Sequence, residues 1–140
     1  MDYHFATAFI IFLRSRAPPN ICQSKKSSKL SIDVSKEIKM VISLHVIEIA
    51  PGKTKAAIEM CKAAQNYDNA QPEVIESVIM KPLQGNANKI MIWAKYASLG
   101  VWEEHRQKQA EDPEYLPILK DFNEIFIPDT HEIYQYQIIE

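Results

Sequence analysis

The chain has 140 residues, 46% of them apolar and 24% charged, with a formal net charge of −2. That is enough chain for one domain with a single core and too little for two comfortable ones. The slightly acidic balance argues against nucleic-acid binding, which calls for a basic face.

The charge is unevenly spread. Arg14, Arg16, Lys25, Lys26, Lys29, Lys36 and Lys39 outnumber Asp2, Asp33 and Glu37 in residues 1–39, so the rest of the chain is acidic. Residues 5–13 (FATAFIIFL) are apolar but fall well short of the about 20 residues that span a bilayer. Arg14 and Arg16 follow this run, the wrong polarity for a secretory signal. Residues 14–39 are rich in Ser, Lys and Pro and lack periodicity, a disorder signature. Residues 1–39 therefore read as a disordered or non-native arm, with Met40 as the natural start of a domain over 40–140. No membrane association is expected. Cys22 and Cys61 form no CxxC or Cys/His cluster, so no metal site is expected. Two separated thiols read as reduced, which places the protein in the cytoplasm.

Residues 41–50 (VISLHVIEIA) are β-branched and alternate, as a half-buried strand does. Val41, Ser43, His45, Ile47 and Ile49 share one face; Ile42, Leu44, Val46 and Glu48 share the other. Pro51-Gly52 ends the strand. Residues 53–66 read as a helix, with Thr54, Ala57, Ile58, Cys61 and Ala64 on one stripe. Residues 69–72 break it. Residues 73–83 and 88–97 are two further strands around a short polar turn containing Gly85. Pro82 suits an edge strand. Trp93 and Tyr96 fall on opposite faces of the third strand.

Ser98 is placed to cap a helix carrying Leu99, Trp102, Arg106 and Gln109 along one side. Asp112-Pro113-Glu114 restarts helix, because Pro is accepted at the first helical position. Tyr115, Ile118, Leu119, Phe122, Ile125 and Phe126 then form an apolar stripe that Pro128 ends. Residues 131–139 are a final alternating strand, with Tyr134 and Tyr136 on one face.

The predicted order is β-α-β-β-α-β, an α+β ferredoxin-like domain with a four-stranded antiparallel sheet. Helices on one face leave the other sheet face bare and apolar. Such a face calls for a partner, and a twofold homodimer through it is the expected answer.

The junction from Tyr96 through Ser98 and Trp102 to His105 resembles the aromatic-x-Ser-x-x-x-aromatic-x-x-His segment of antibiotic-biosynthesis-monooxygenase-type domains. Glu111-Asp112-Pro113-Glu114-Tyr115 is similar to the Asp-Pro-Glu-aromatic segment of NIPSNAP-type domains, and Pro51-Gly52-Lys53 suits both. The resemblance covers residues 40–140. It implies a dimeric α/β barrel with a pocket between sheet and helices in each subunit. Some members of that superfamily are cofactor-free oxygenases of polycyclic phenols; others degrade heme. The heme degraders use an Asn on the first strand and a Trp and a His on the second helical region. Those places hold His45, His105 and Tyr115, so that set is incomplete.

His105 matches the recurrent helix histidine and, beside Trp102, is the expected acid/base for a phenolic substrate. His45, Tyr96, Trp102 and Tyr115 are expected to shape the pocket. His45 also reads as an interior or interface histidine, and Tyr115 as a core residue. Arg106 could hold an anionic group or pair with Glu103. The leading expectation is a cofactor-independent monooxygenase-like enzyme acting on an aromatic or polyketide-like ligand. The alternatives are a non-catalytic dimeric small-ligand module and heme binding through His45 or His105.

Overall fold

Alternating β-branched residues lay β1 (Lys39–Ile49) across the middle of the domain. Pro51 and Gly52 turn the chain out of it. Gly52 has φ +74°, and the Lys53 N–H donates to the Ala50 carbonyl at 3.1 Å. A type II turn requires positive φ at its third residue, which Gly52 supplies, and favors a Pro before it. The structure, a computed structural model, describes residues 38–140. The readings made for residues 1–37, Cys22 and the apolar run at 5–13 lie outside them.

Helix α1 (Thr54–Ala70) follows, then β2 (Val74–Met80), β3 (Lys89–Ser98) and α2 (Leu99–Glu111). A short 3₁₀ turn (Leu116–Leu119), a single-turn α3 (Phe122–Ile125) and β4 (Phe126–Gln137) complete the chain. All strand pairs are antiparallel, in the order β2-β3-β1-β4. This is the expected ferredoxin-like arrangement. It makes β1 and β3 central and β2 and β4 edges.

Four boundaries differ from the sequence expectation. β2 stops at Met80, so Pro82 lies past it in the connection to β3. Helix α1 runs on to Ala70, because the stripe Ala57, Cys61, Ala64 continues to Asp68 and all four face inward or partly inward. The expected long helix over residues 113–126 is broken. Pro113 and Pro117 cannot donate to a ladder, so the segment folds as turns and short helical pieces that still bury Tyr115, Leu119 and Ile125. Phe126 opens β4 instead of closing a helix, and Pro128 lies within that edge strand. Pro128 falls where the β1–β4 register shifts between Val46 and Glu48. Thr130 patches the gap, its Oγ1 accepting from the Glu48 N–H at 2.9 Å. Ser98 caps α2 as expected, accepting from the Val101 N–H at 3.2 Å.

The core lies between the sheet and the helices. Ile47, Ile49, Ala57, Cys61, Ile90, Ile125 and Phe126 form one cluster, and Val74, Ala94, Tyr96 and Trp102 a second. Each large side chain so buried stabilises the fold by about 1.5–3 kcal/mol.

The opposite sheet face has its own order. The register aligns Val78, Trp93, Leu44 and Tyr134 in one row across all four strands. Met80, Met91 and Val46 align in the next row on one side, and Ile42 and Tyr136 pair on the other side of the first row. Tyr134 and Tyr136 are 42% and 51% exposed, too much for a core role. No helix among the described residues is long and apolar enough to cross a membrane.

Candidate functional site

Between sheet and helices lies a cavity of about 90 Å³. Ser43, His45 and Ile47 of β1, Ile92, Ala94 and Tyr96 of β3, and His131 of β4 form its floor. Met60, Cys61, Ala64 and Asp68 of α1 and Trp102, Arg106 and Gln109 of α2 form its roof; Tyr115, Leu119, Phe122 and Phe126 close it. Strand parity explains the floor. Alternate residues of one strand share a face, and the helix-facing parity of β1 carries Ser43 and His45 among aliphatics.

The expected pocket residues His45, Tyr96, Trp102 and Tyr115 all line this cavity. Tyr96, Trp102 and Tyr115 are nearly fully buried. Burial pushes the phenols of Tyr96 and Tyr115 well above the usual tyrosine range, so both keep their O–H. Burial also raises the Cys61 thiol to about 12, which leaves it unreactive. The Arg106 guanidinium sits 4.5 Å over the Trp102 ring, a cation–π contact that fixes it in the roof.

His105 lies elsewhere. It is 1% exposed, and both its ring nitrogens are occupied. Nε2 is 3.0 Å from Asp68 Oδ1, and Nδ1 is 3.0 Å from Glu73 Oε1. Burial by itself pulls the His105 pKa down. The hydrogen bonds and charges of Asp68 and Glu73 outweigh that, and the net direction is up. Each ring nitrogen faces a carboxylate oxygen, which only accepts, so the geometry calls for an imidazolium with both N–H groups donated and no lone pair left for a substrate proton. Gln109 Nε2 also donates to Asp68 Oδ1, and Lys108 Nζ to Glu73 Oε1. Burial tends to raise Glu73, but these donors hold it below the usual carboxylate range. Of this set, Asp68 and Gln109 reach the cavity wall.

Residue His131 was not singled out from the sequence, and the structure brings it to the center of the site. His45 Nδ1 and His131 Nε2 are 3.0 Å apart, with rings stacked at 5.2 Å. Ser43 Oγ lies 3.4 Å from His45 Nε2. Burial, then the neighboring His131 and Arg106, lowers the His45 pKa to about 3. Burial lowers His131 to about 4. At neutral pH the pair is uncharged, and one ring donates to the other. The signal for His131 was present: in ferredoxin-like order the last strand borders the first, and His131 has the helix-facing parity. Asp68 was hidden because the helix was expected to stop at about residue 66.

The heme expectation does not fit. An engineered cavity of about 150 Å³ holds a single benzene, and a porphyrin is far larger than the space here. Both nitrogens of His45 and of His105 already have hydrogen-bonding neighbors. Among the described residues, no group of three His, Cys, Asp or Glu side chains is placed to hold a metal ion.

No family model matches the chain, and no curated protein matches it. Solved structures do. A NIPSNAP family protein from Agrobacterium tumefaciens is 18% identical with a TM-score of 0.59, over 73% of this chain and 88% of that one. A protein from Nitrosomonas europaea, provisionally named an antibiotic biosynthesis monooxygenase, is 12% identical with a TM-score of 0.60, over 72% and 91%. One of the same provisional name from Deinococcus radiodurans is 12% identical with a TM-score of 0.57, over 71% and 93%. At such identities the likeness is one of fold. The chain has the ferredoxin-like fold of monooxygenase-type and NIPSNAP-type domains, as the junction motif implied.

Two outcomes follow from the two histidine environments. His105→Gln leaves two carboxylates without their cation and should cost about 3–5 kcal/mol in urea unfolding at neutral pH. A raised-pKa group stabilises below its unfolded value of about 6.5 and loses that contribution as pH rises through its folded value. The gap between wild type and His105→Gln should therefore narrow in alkali. His45 and His131 have the opposite sign. Their contribution is present above about 6.5 and lost as pH falls through about 4 and about 3. A His131→Phe variant should show a flatter acid limb in the same unfolding series.

Proposed function

We propose that the cavity takes the hydroxyl-bearing edge of a single-ring aromatic, whose remainder lies in the open mouth of the cavity, and that the His45–His131 pair accepts its proton in a cofactor-independent, monooxygenase-type reaction. The observation that carries this is the 3.0 Å contact between two neutral imidazoles inside a mostly apolar cavity. A neutral imidazole accepts a phenolic O–H, which at His45 Nε2 would take the place of the long Ser43 contact. Arg106 in the roof is placed to favor the anion that forms. A phenolate in an apolar site is electron-rich and able to give an electron to dioxygen directly. Tyr96, Trp102 and Tyr115 supply aromatic walls that suit a planar ring. His105 enters as a positioning residue that holds Asp68 in the cavity wall.

One observation favors a second reading. The low pKa values of the pair make it a weak base, which suits a module that binds the same ligand without turning it over. Oxygen uptake with a panel of single-ring phenols and hydroquinones separates the two. The enzyme should consume oxygen, and His45→Gln or His131→Gln should lower kcat/KM by about 100-fold or more. Saturable binding by calorimetry with no oxygen uptake selects the binding module.

The bare sheet face completes the proposal. A contiguous apolar row running Val78, Trp93, Leu44, Tyr134 is the kind of surface that a second copy covers. Light scattering at micromolar concentration should give twice the 16.1 kDa chain mass. Leu44→Glu together with Trp93→Glu should give one chain mass with the far-UV spectrum retained. A single-chain mass for the wild type would sink the dimer.

A further inference from the structure

The histidine pair has a third member that the reading above leaves idle. Ser43 is 2% exposed, lies on the cavity floor and points its hydroxyl at the base. The chain of contacts runs Ser43 Oγ to His45 Nε2 at 3.4 Å, then His45 Nδ1 to His131 Nε2 at 3.0 Å. Nucleophile, base and orienting group come in the spatial order that hydroxyl-based acyl transfer requires. The first distance is long for a hydrogen bond, as nucleophile–base contacts often are before substrate arrives.

Two proton arrangements satisfy this chain. In one, His131 Nε2–H donates to His45 Nδ1, and His45 Nε2–H donates to Ser43. In the other, the Ser43 O–H donates to His45 Nε2, and His45 Nδ1–H donates to His131 Nε2. The second presents an activated hydroxyl to the cavity, with His131 fixing the tautomer of His45. Strand geometry supplies this alignment. Ser43 and His45 are two apart on one strand and share its face. His131 lies diagonally across, because His45 pairs with Ile133.

We propose that Ser43, His45 and His131 form a nucleophile–base–orienter relay that accepts the acyl group of a short-chain ester. Ser43 Oγ bonds to the carbonyl carbon while its proton passes to His45 Nε2. The ester C–O bond then breaks, and the leaving alcohol takes that proton. Water next attacks the acyl-serine, giving its proton to His45. The acyl–Oγ bond breaks, Ser43 regains the proton, and a carboxylic acid leaves. No oxidant or reductant enters.

The oxyanion has donors in the wall. Tyr96 stands diagonal to Ser43 on β3, since Val41 pairs with Tyr96 and Ser43 with Ala94. Tyr96 and Arg106 both line the cavity, and their O–H and N–H groups are the donors this proposal assigns. The ladder occupies the β1 backbone N–H groups, so side chains take the role that backbone donors often play. The cavity volume of about 90 Å³ restricts the acyl group to a few carbons.

Buried serines of this parity are not all alike. Ser77 on β2 is also 2% exposed, yet its Oγ has no hydrogen-bond partner, among the described residues, and lies outside the cavity lining. Ser43 differs in facing an oriented imidazole.

The test uses the full chain with p-nitrophenyl acetate under anaerobic conditions and without any phenolic ligand, so the outcome does not depend on the oxygenase reading. A burst of one p-nitrophenol per chain is expected, and peptide mass spectrometry should place the acetyl group, or a small dialkyl fluorophosphonate, on Ser43. Folded Ser43→Ala should lose the burst and the label. His45→Gln should slow acylation by about 100-fold or more. His131 is a positioning residue, so His131→Gln, which keeps an acceptor, should retain more kcat than His131→Phe at similar KM. A wild-type chain that stays unlabelled at Ser43, or an undiminished burst in folded Ser43→Ala, overturns the proposal. The wild-type labelling result decides the matter even if a variant fails to fold.

Discussion

The imidazolium of His105, clamped between Asp68 near the end of α1 and Glu73 just before β2, ties the helical layer to the sheet. A buried cation with two carboxylate partners satisfies both of its N–H groups and neutralises charge that low-dielectric surroundings would otherwise penalise. Gln109 and Lys108, one turn along α2, add donors to the same carboxylates. Tyr67, next to Asp68, adds a separate tie, its hydroxyl donating to Asp112 just past α2 at 2.6 Å. This set fixes the separation of α1 and α2 above the sheet, and that separation is the cavity. Remove the cation and the roof over Tyr96 and Ser43 loses its anchor.

The domain thus divides its histidines by charge. His105 is charged, fully bonded and closed to the cavity. His45 and His131 are neutral, bonded to each other, and open to it. The difference follows from neighbors and not from depth, since all three are substantially buried. Carboxylates surround the first; aliphatic and aromatic carbon surrounds the other two, with Arg106 as the near charge. Of the three, the neutral pair lines the cavity and His105 does not. On the proposed reading, proton transfer belongs to the sheet floor, while α2 supplies anchoring and an aromatic wall.

The two sheet faces divide labor in the same way. Period-two alternation sends Ser43, His45 and Tyr96 toward the helices and Leu44, Trp93 and Tyr134 away from them. A one-residue slip of β1 would exchange the two sets, so the register specifies the site and the bare apolar face together. The register shift near Val46 and Glu48 is part of that specification. It absorbs Pro128 and leaves His131 on the helix-facing side, within reach of His45.

Most of the fold was legible in the sequence. Alternation revealed β1, β3 and β4, the turn residues separated them, and Ser98 announced α2. The face carrying Ser43 and His45 could be read directly, as could the opposite orientations of Trp93 and Tyr96. These are local properties of a pleated or helical backbone, and local periodicity encodes them. The broken helix after Pro113 was misread because an apolar 3–4 spacing also suits short turns packed on a core. The roles of the histidines depended on contacts between residues 32, 37 and 86 positions apart in sequence: His105 with Glu73 and Asp68, and His45 with His131. Sequence by itself determined which residues face inward. Only the tertiary structure decided which of them meet, because the charge and basicity of a buried imidazole are set by the groups that folding brings against it.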